Sequence, residues 1–223
     1  MRFFSQKQWI TGLRYFTAGL FAIWILSNFQ SPVPSKNGLD LLEKAQQLQT
    51  QGDSSANQVA VQATTFLAQN GDWDNWVNAW KIYYLNHFTQ SNPEKIQQGI
   101  NGLKPALKTI ETTPAAQVPA VRSKIYGFTG NLYFKMGNYP EALKWYEQSV
   151  HLAEKATDTV FLVKQYYNIS DVLWKLGDDY AALNYSRQAL PLAQILKDTS
   201  RLTGILLTQG NIYRTLNQPT ESM

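Results

Sequence analysis

The chain contains two histidines, His87 and His151, and no cysteine. A thiol nucleophile, a disulfide or a cysteine-ligated metal is therefore excluded, and two histidines leave little from which to build any other metal site. Neither histidine has a plausible catalytic partner in its local sequence. No phosphate loop, dinucleotide fingerprint, nucleophile elbow or carboxylate pair beside a base is present. The sequence thus predicts no catalytic residue, no cofactor and no metal. Trp73, Trp76, Trp80, Tyr83 and Tyr84 recur at spacings of three and four, a pattern that serves either an aromatic cage for a cation or a buried helix face. The Gly71-Asp72 start signal just before them favours burial against the preceding helix. Asn168-Ile169-Ser170 and Asn184-Tyr185-Ser186 match a glycosylation acceptor, but both fall inside predicted helices, which argues against their use.

Charge narrows the partners. The formal net charge of +4 comes from 20 Lys and Arg against 16 Asp and Glu. Arg2, Lys7 and Arg14 all precede the first acidic residue, Asp40, so without residues 1–30 the balance is 17 to 16. The basic character belongs to the amino terminus, and a nucleic-acid partner is not expected. The three cations lead into the uncharged, apolar run 15–26, a targeting pattern. Its length suits a signal peptide and falls short of the roughly 20 residues that span hydrocarbon. Ile25 and Phe29 stand where a small-x-small cleavage site would need small residues. Residues 1–30 therefore read as a signal peptide or an uncleaved signal anchor, with a buried helix of the fold as a third reading. Either export reading keeps the basic flank inside and puts the bulk of the chain outside the cytoplasm. Residues 31–38, with Pro32, Pro34 and Gly38, read as a linker.

With 44% hydrophobic residues the chain can bury one ordinary core or a short repeat array. From Leu39 onward apolar residues recur at helical spacing and no strand alternation is visible. The pattern predicts an all-α fold with helices at about 39–51, 55–69, 73–88, 93–109, 119–136, 139–156, 160–176, 179–197 and 201–216. Sliding the sequence by 40 residues superimposes Gly130-Asn131-Leu132-Tyr133 on Ser170-Asp171-Val172-Leu173 and on Gly210-Asn211-Ile212-Tyr213. Without a gap, the same shift pairs Lys124 with Lys164, Tyr126 with Tyr166, Gly137 with Gly177, Ala142 with Ala182 and Asp158 with Asp198. Identities fall on a small residue where helices cross, a Gly at the turn and an Ala where the second helix returns.

Tyr126, Gly130, Tyr133, Gly137-Asn138-Tyr139, Ala142 and Tyr146 together resemble the tetratricopeptide repeat motif, in a variant longer than the usual repeat of about 34 residues. The clear resemblance covers 121–217, and Trp73 to Trp80 with the helix after Pro93 look like a degenerate copy. The resemblance implies an antiparallel helix-hairpin solenoid, with degenerate hairpins over 39–118, repeats over 119–217 and a tail at 218–223. It also implies a concave face lined by the first helix of each pair. The family's groove positions carry over to Lys124, Asn131, Phe134 and Lys135 in one repeat. In the next they fall on Lys164, Tyr167, Asn168, Asp171, Trp174 and Lys175, and in the last on Asn211 and Arg214. Lys135, Lys175 and Arg214 recur near one register position, the first two beside Phe134 and Trp174, which fits an extended peptide with acidic groups. The family's clamp for a chaperone tail is matched by Asn131 and Asn168, whereas Gly127, Gly204 and Thr208 stand at its basic positions.

The implied function is a non-enzymatic scaffold or adaptor, exported or membrane-tethered through its amino terminus, that holds a protein or peptide segment in the groove. Two alternatives are the sensor part of a larger protein with a separate catalytic domain, for example caspase-like, and an assembly factor of a membrane complex. The third repeat supplies only its first helix before Asn217-Gln218-Pro219, so self-association through this end is a further expectation.

Overall fold

The computed structural model describes residues 36–114 and 118–217. The apolar run within 1–30, residues 31–35 of the linker and the tail 218–223 lie outside the described residues. Among those described, no helix is long and apolar enough to cross a membrane. The described residues form ten α-helices in chain order: α1 (Lys36–Thr50), α2 (Ala56–Gln69), α3 (Trp73–Phe88), α4 (Pro93–Gly102), α5 (Lys104–Thr112), α6 (Pro119–Lys135), α7 (Tyr139–Lys155), α8 (Thr159–Lys175), α9 (Asp179–Ile195) and α10 (Thr199–Leu216).

Two boundaries differ from the sequence reading. Helix α1 begins at Lys36, inside the stretch read as linker. Gly38 is a contact residue there, since a β-carbon on it would lie 3.1 Å from Leu67. The single helix expected over 93–109 is broken at Leu103 into α4 and α5. Pro105 explains the break: it has no N–H to give to Asn101 and its ring would clash with that carbonyl, whereas near the start of a new helix neither matters. Leu103 itself is fully buried at the joint.

Helices pair as antiparallel hairpins, α1 with α2, α6 with α7 and α8 with α9, while α3 is followed by the broken return α4 and α5. Each first helix also touches the next, from α1 to α3, α3 to α6, α6 to α8 and α8 to α10. The turns that enforce this spacing are nearly identical. Gly137, Thr157, Gly177 and Lys197 all have positive φ. Each closes its helix with the same two bonds, as when Gly137 N–H donates to Phe134 and Asn138 N–H donates to Tyr133. The next residue then caps the following helix: Asn138, Asp158, Asp178 and Asp198 each accept from the backbone N–H three residues on.

Small residues let the hairpins close. A β-carbon on Gly130 would lie 2.6 Å from the Tyr146 ring, and Ala142 opposite is fully buried. At the equivalent crossing in the next repeat, the Ser170 hydroxyl donates to the Ala182 carbonyl at 2.8 Å. The aromatic run on α3 packs edge to face, with Trp73, Trp76, Trp80 and Tyr83 rings 5.7 to 6.0 Å apart in succession. Trp76, Trp80 and Tyr84 are buried, which is the packing role and not an open cage. His87 likewise packs: its Nδ1 lies 2.9 Å from the Lys95 carbonyl and its Cβ occupies the space a side chain on Gly99 would need.

Candidate functional site

The first helices α3, α6, α8 and α10 build one continuous face. A recess of about 320 Å³ on it is lined by Val77, Asn78 and Lys81 from α3, and by Lys124 and Phe128 from α6. Asp158 at the α7–α8 turn, Val160, Phe161 and Lys164 from α8, and Arg201 from α10 complete it. Helices separated by two others along the stack can line one recess only if the stack curves, so this face is concave, as the repeat architecture implies.

Of the expected groove residues, Lys124 and Lys164 line this recess. Lys124 approaches Asp158 at 3.9 Å. Lys164 makes no ion pair among the described residues. Its ammonium lies 6.0 Å from the Phe161 ring centre, and burial, then the nearby Arg201 and Lys81 charges, hold it down to about 8 from an ordinary 10.5.

A second depression of about 190 Å³ is lined by Phe88, Asn131, Phe134, Tyr146, Tyr167, Asn168 and Asp171, five of them expected groove residues. Asn131 is not available to a ligand. Its Nδ2 donates to the Tyr84 hydroxyl at 2.9 Å, and its Oδ1 accepts from Tyr146 at 2.7 Å and from Asn168 at 3.0 Å. Burial raises Tyr84 and Tyr146 well above the ordinary phenol range, so both hydroxyls stay protonated, Tyr84 accepting from the Asn131 amide and Tyr146 donating to it. The amide is the knot that ties α3, α6, α7 and α8 together. Burial raises the Asp171 carboxyl, with Lys175 pulling it back, and raises the Tyr167 phenol, to which the Asp171 charge adds.

The positions of the family's clamp are occupied by close packing. A β-carbon on Gly127 would lie 2.8 Å from Phe161, and one on Gly204 would lie 3.2 Å from Tyr167. Thr208 is buried. Two of the three recurring cations end on aromatic rings: Lys135 Nζ is 5.8 Å from the Phe88 ring centre and Lys175 Nζ is 4.1 Å from that of Trp174. Arg214 is exposed and Asn211 half-exposed on α10. Lys81, Phe128, Asp158, Phe161 and Arg201 were not singled out by the sequence. The one usable signal was that Asp158 and Asp198 repeat in register with Lys124 and Lys164.

This is a helical-repeat solenoid with a concave face lined by the first helix of each pair. Residues 122–195 match the family model for the tetratricopeptide repeat, so this part of the chain is built of such repeats. No curated protein matches it. Among solved structures it is similar to a signal-transduction ATPase with numerous domains that carries a tetratricopeptide repeat sensor, from Pyrococcus horikoshii. That similarity has a TM-score of 0.64 at 16% identity over 89% of this chain, and supports the fold alone. The chain spans 31% of the length of that protein.

Proposed function

We propose that the chain is an interaction module that holds an extended segment of a partner protein on the concave face of α3, α6, α8 and α10. The observation that carries this reading is the band of aromatic-backed cations there: Lys135 over Phe88, Lys164 beside Phe161 and Lys175 over Trp174. Lys135 and Lys175 are exposed and keep their charge outward while their stems cover apolar surface, which suits an acidic, extended ligand. The test is site-specific photo-crosslinking in the full chain. A photoreactive residue at Phe134 is expected to capture a partner segment, and the same residue at the convex, 78% exposed Tyr180 is not. Equal capture from both positions rejects the groove.

A second reading is favoured by the sensor module named in the Pyrococcus horikoshii protein: the same face would sense a ligand on behalf of a catalytic domain. We also propose export, from the basic flank and apolar run of residues 1–30. Fusion of residues 1–40 to a reporter active only outside the cytoplasm tests it, and a soluble, inactive reporter rejects it. Self-association through α10 rests on the exposed Leu206, Leu207 and Tyr213. Sedimentation of the full chain at several concentrations checks it, and a concentration-independent monomer rules it out.

A further inference from the structure

The 40-residue register makes an electrostatic prediction that the structure violates. Lys124 is paired with Asp158, and the same shift pairs Lys164 with Asp198. Asp198, however, is taken by Arg201, whose guanidinium and backbone N–H both bind its carboxylate. The substitution responsible is visible in the same register, because Arg201 occupies the position that Phe161 fills one repeat earlier. Lys164 is left in the recess with its counter-charge removed and a further cation, Arg201, in its place. Lys81 enters the same recess from α3 without an ion pair among the described residues.

Lys81, Lys124, Lys164 and Arg201 against Asp158 and Asp198 leave two positive charges uncompensated around one recess. We infer that this recess is a site for a phosphoryl dianion, presented on a partner segment lying in the groove. A phosphoryl group carries about −1.5 to −2 charge and three acceptor oxygens, which matches both the excess and the convergence of donors from four helices. Carboxylates along an extended peptide are separated by about 3.3 Å or more per residue and project to alternate sides, so they would not meet such a convergence together. Phe128, Phe161 and Val160 form the apolar wall against which the stem of the phosphorylated residue lies. Burial and the neighbouring Arg201 and Lys81 charges depress the Lys164 ammonium to about 8, and an anion bound beside it would relieve that penalty. The inference rests on the interaction reading above and names the chemistry of its ligand.

The experiment uses the full chain and four probes at matched ionic strength: inorganic phosphate, a Gly-phosphoserine-Gly peptide, the same peptide with Glu, and chloride. Calorimetry and the Cε resonance of Lys164 report binding. Saturable binding of phosphate and of the phosphopeptide is expected, with the Glu peptide at least about tenfold weaker. Tighter binding of the phosphopeptide than of phosphate assigns the source to a partner segment, and equal affinities overturn that assignment. Affinity should rise through about pH 6 as the phosphoryl group gains its second charge and fall above about 8 as Lys164 loses its proton. Lys164→Gln and the exposed Lys81→Gln should each weaken binding about tenfold, whereas Lys144→Gln, on the exposed side of α7 and outside the recess, should change it less than about twofold. A response to phosphate no larger than to chloride, a Glu peptide as tight as the phosphopeptide, or equal losses in all three variants overturns the site. Crosslinking at Phe134 is independent of phosphate, so its success alongside failure here removes this inference and leaves the interaction reading standing.

Discussion

Helix α10 repeats the sequence of α6 at the positions that matter most, Gly210-Asn211-Ile212-Tyr213 for Gly130-Asn131-Leu132-Tyr133, yet the two stretches do different physical work. Gly130 is pressed against Tyr146, whereas a β-carbon on Gly210 would meet nothing within 4 Å. Asn131 is buried and fully bonded, while Asn211 is half-exposed. Leu132 and Ile212 are both fully buried, because the preceding hairpin covers that side in each case. Identity of sequence therefore fixes which way a residue points, and the presence of a returning helix decides what it costs to change.

The sharpest way to break this comparison is at the asparagines. Asn131→Ala strands two buried tyrosine hydroxyls and is expected to cost about 3 kcal/mol, against about 0.5 kcal/mol or less for Asn211→Ala. Denaturant melts measure both, and equal losses would refute the difference. Next come the glycines, where the sign itself should change. Gly130→Leu overpacks the contact with Tyr146 and should cost about 1 to 3 kcal/mol. Gly210→Leu relieves a poor helix former in open space and should gain up to about 0.8 kcal/mol. Lys144→Ala, on the exposed side of α7, serves as the near-silent control.

A smaller effect sharpens the contrast between bonded and unbonded polar groups. Lys164→Met removes a desolvated charge and should stabilise the unliganded chain by about 1 kcal/mol at pH 7. Because the folded value of Lys164 lies near 8, below its ordinary 10.5, wild type carries the full penalty below pH 8. Its stability recovers as pH rises from there towards 10.5, so the advantage of the Met variant should fade over that window. Thermal melts across it decide the point, and a constant advantage contradicts it. The smallest effect is at the turns. Lys197 holds a positive φ of 53°, where at the preceding inter-helix turn Gly177 holds one of 83° without strain. Lys197→Gly should gain only a few tenths of a kcal/mol, since relief of about 1 kcal/mol is partly cancelled by the entropy of glycine, and a loss would show that the Lys197 side chain is itself bonded in solution.

The helices and their pairing were legible because the same turn chemistry recurs. Gly137-Asn138 and Gly177-Asp178 mark stops and starts that need no tertiary information. Pro105 was present to be read as a helix start, but the helical spacing of Leu103, Ala106, Leu107 and Ile110 runs straight through it and masks the break. The groove was legible only in part. A register comparison finds Lys124 and Lys164, which repeat, and overlooks Lys81, which lies in a degenerate copy with no register to compare. It also assigned Asn131 to the ligand, because the Tyr84 hydroxyl that claims its amide lies 47 residues away. Function-bearing contacts between repeats are set by curvature, and no single repeat encodes that.

The recess has one further property that follows from its being shared by four first helices. In an array where each hairpin leans only on its neighbours, one helix can open locally while the others hold. Arg201 lies on α10, so any opening of α10 would carry one wall of the recess away with it. An anion bound there would consequently act as a clasp, slowing hydrogen exchange over 203–216 by the ratio of its concentration to its dissociation constant while leaving the amides of α1 and α2 untouched.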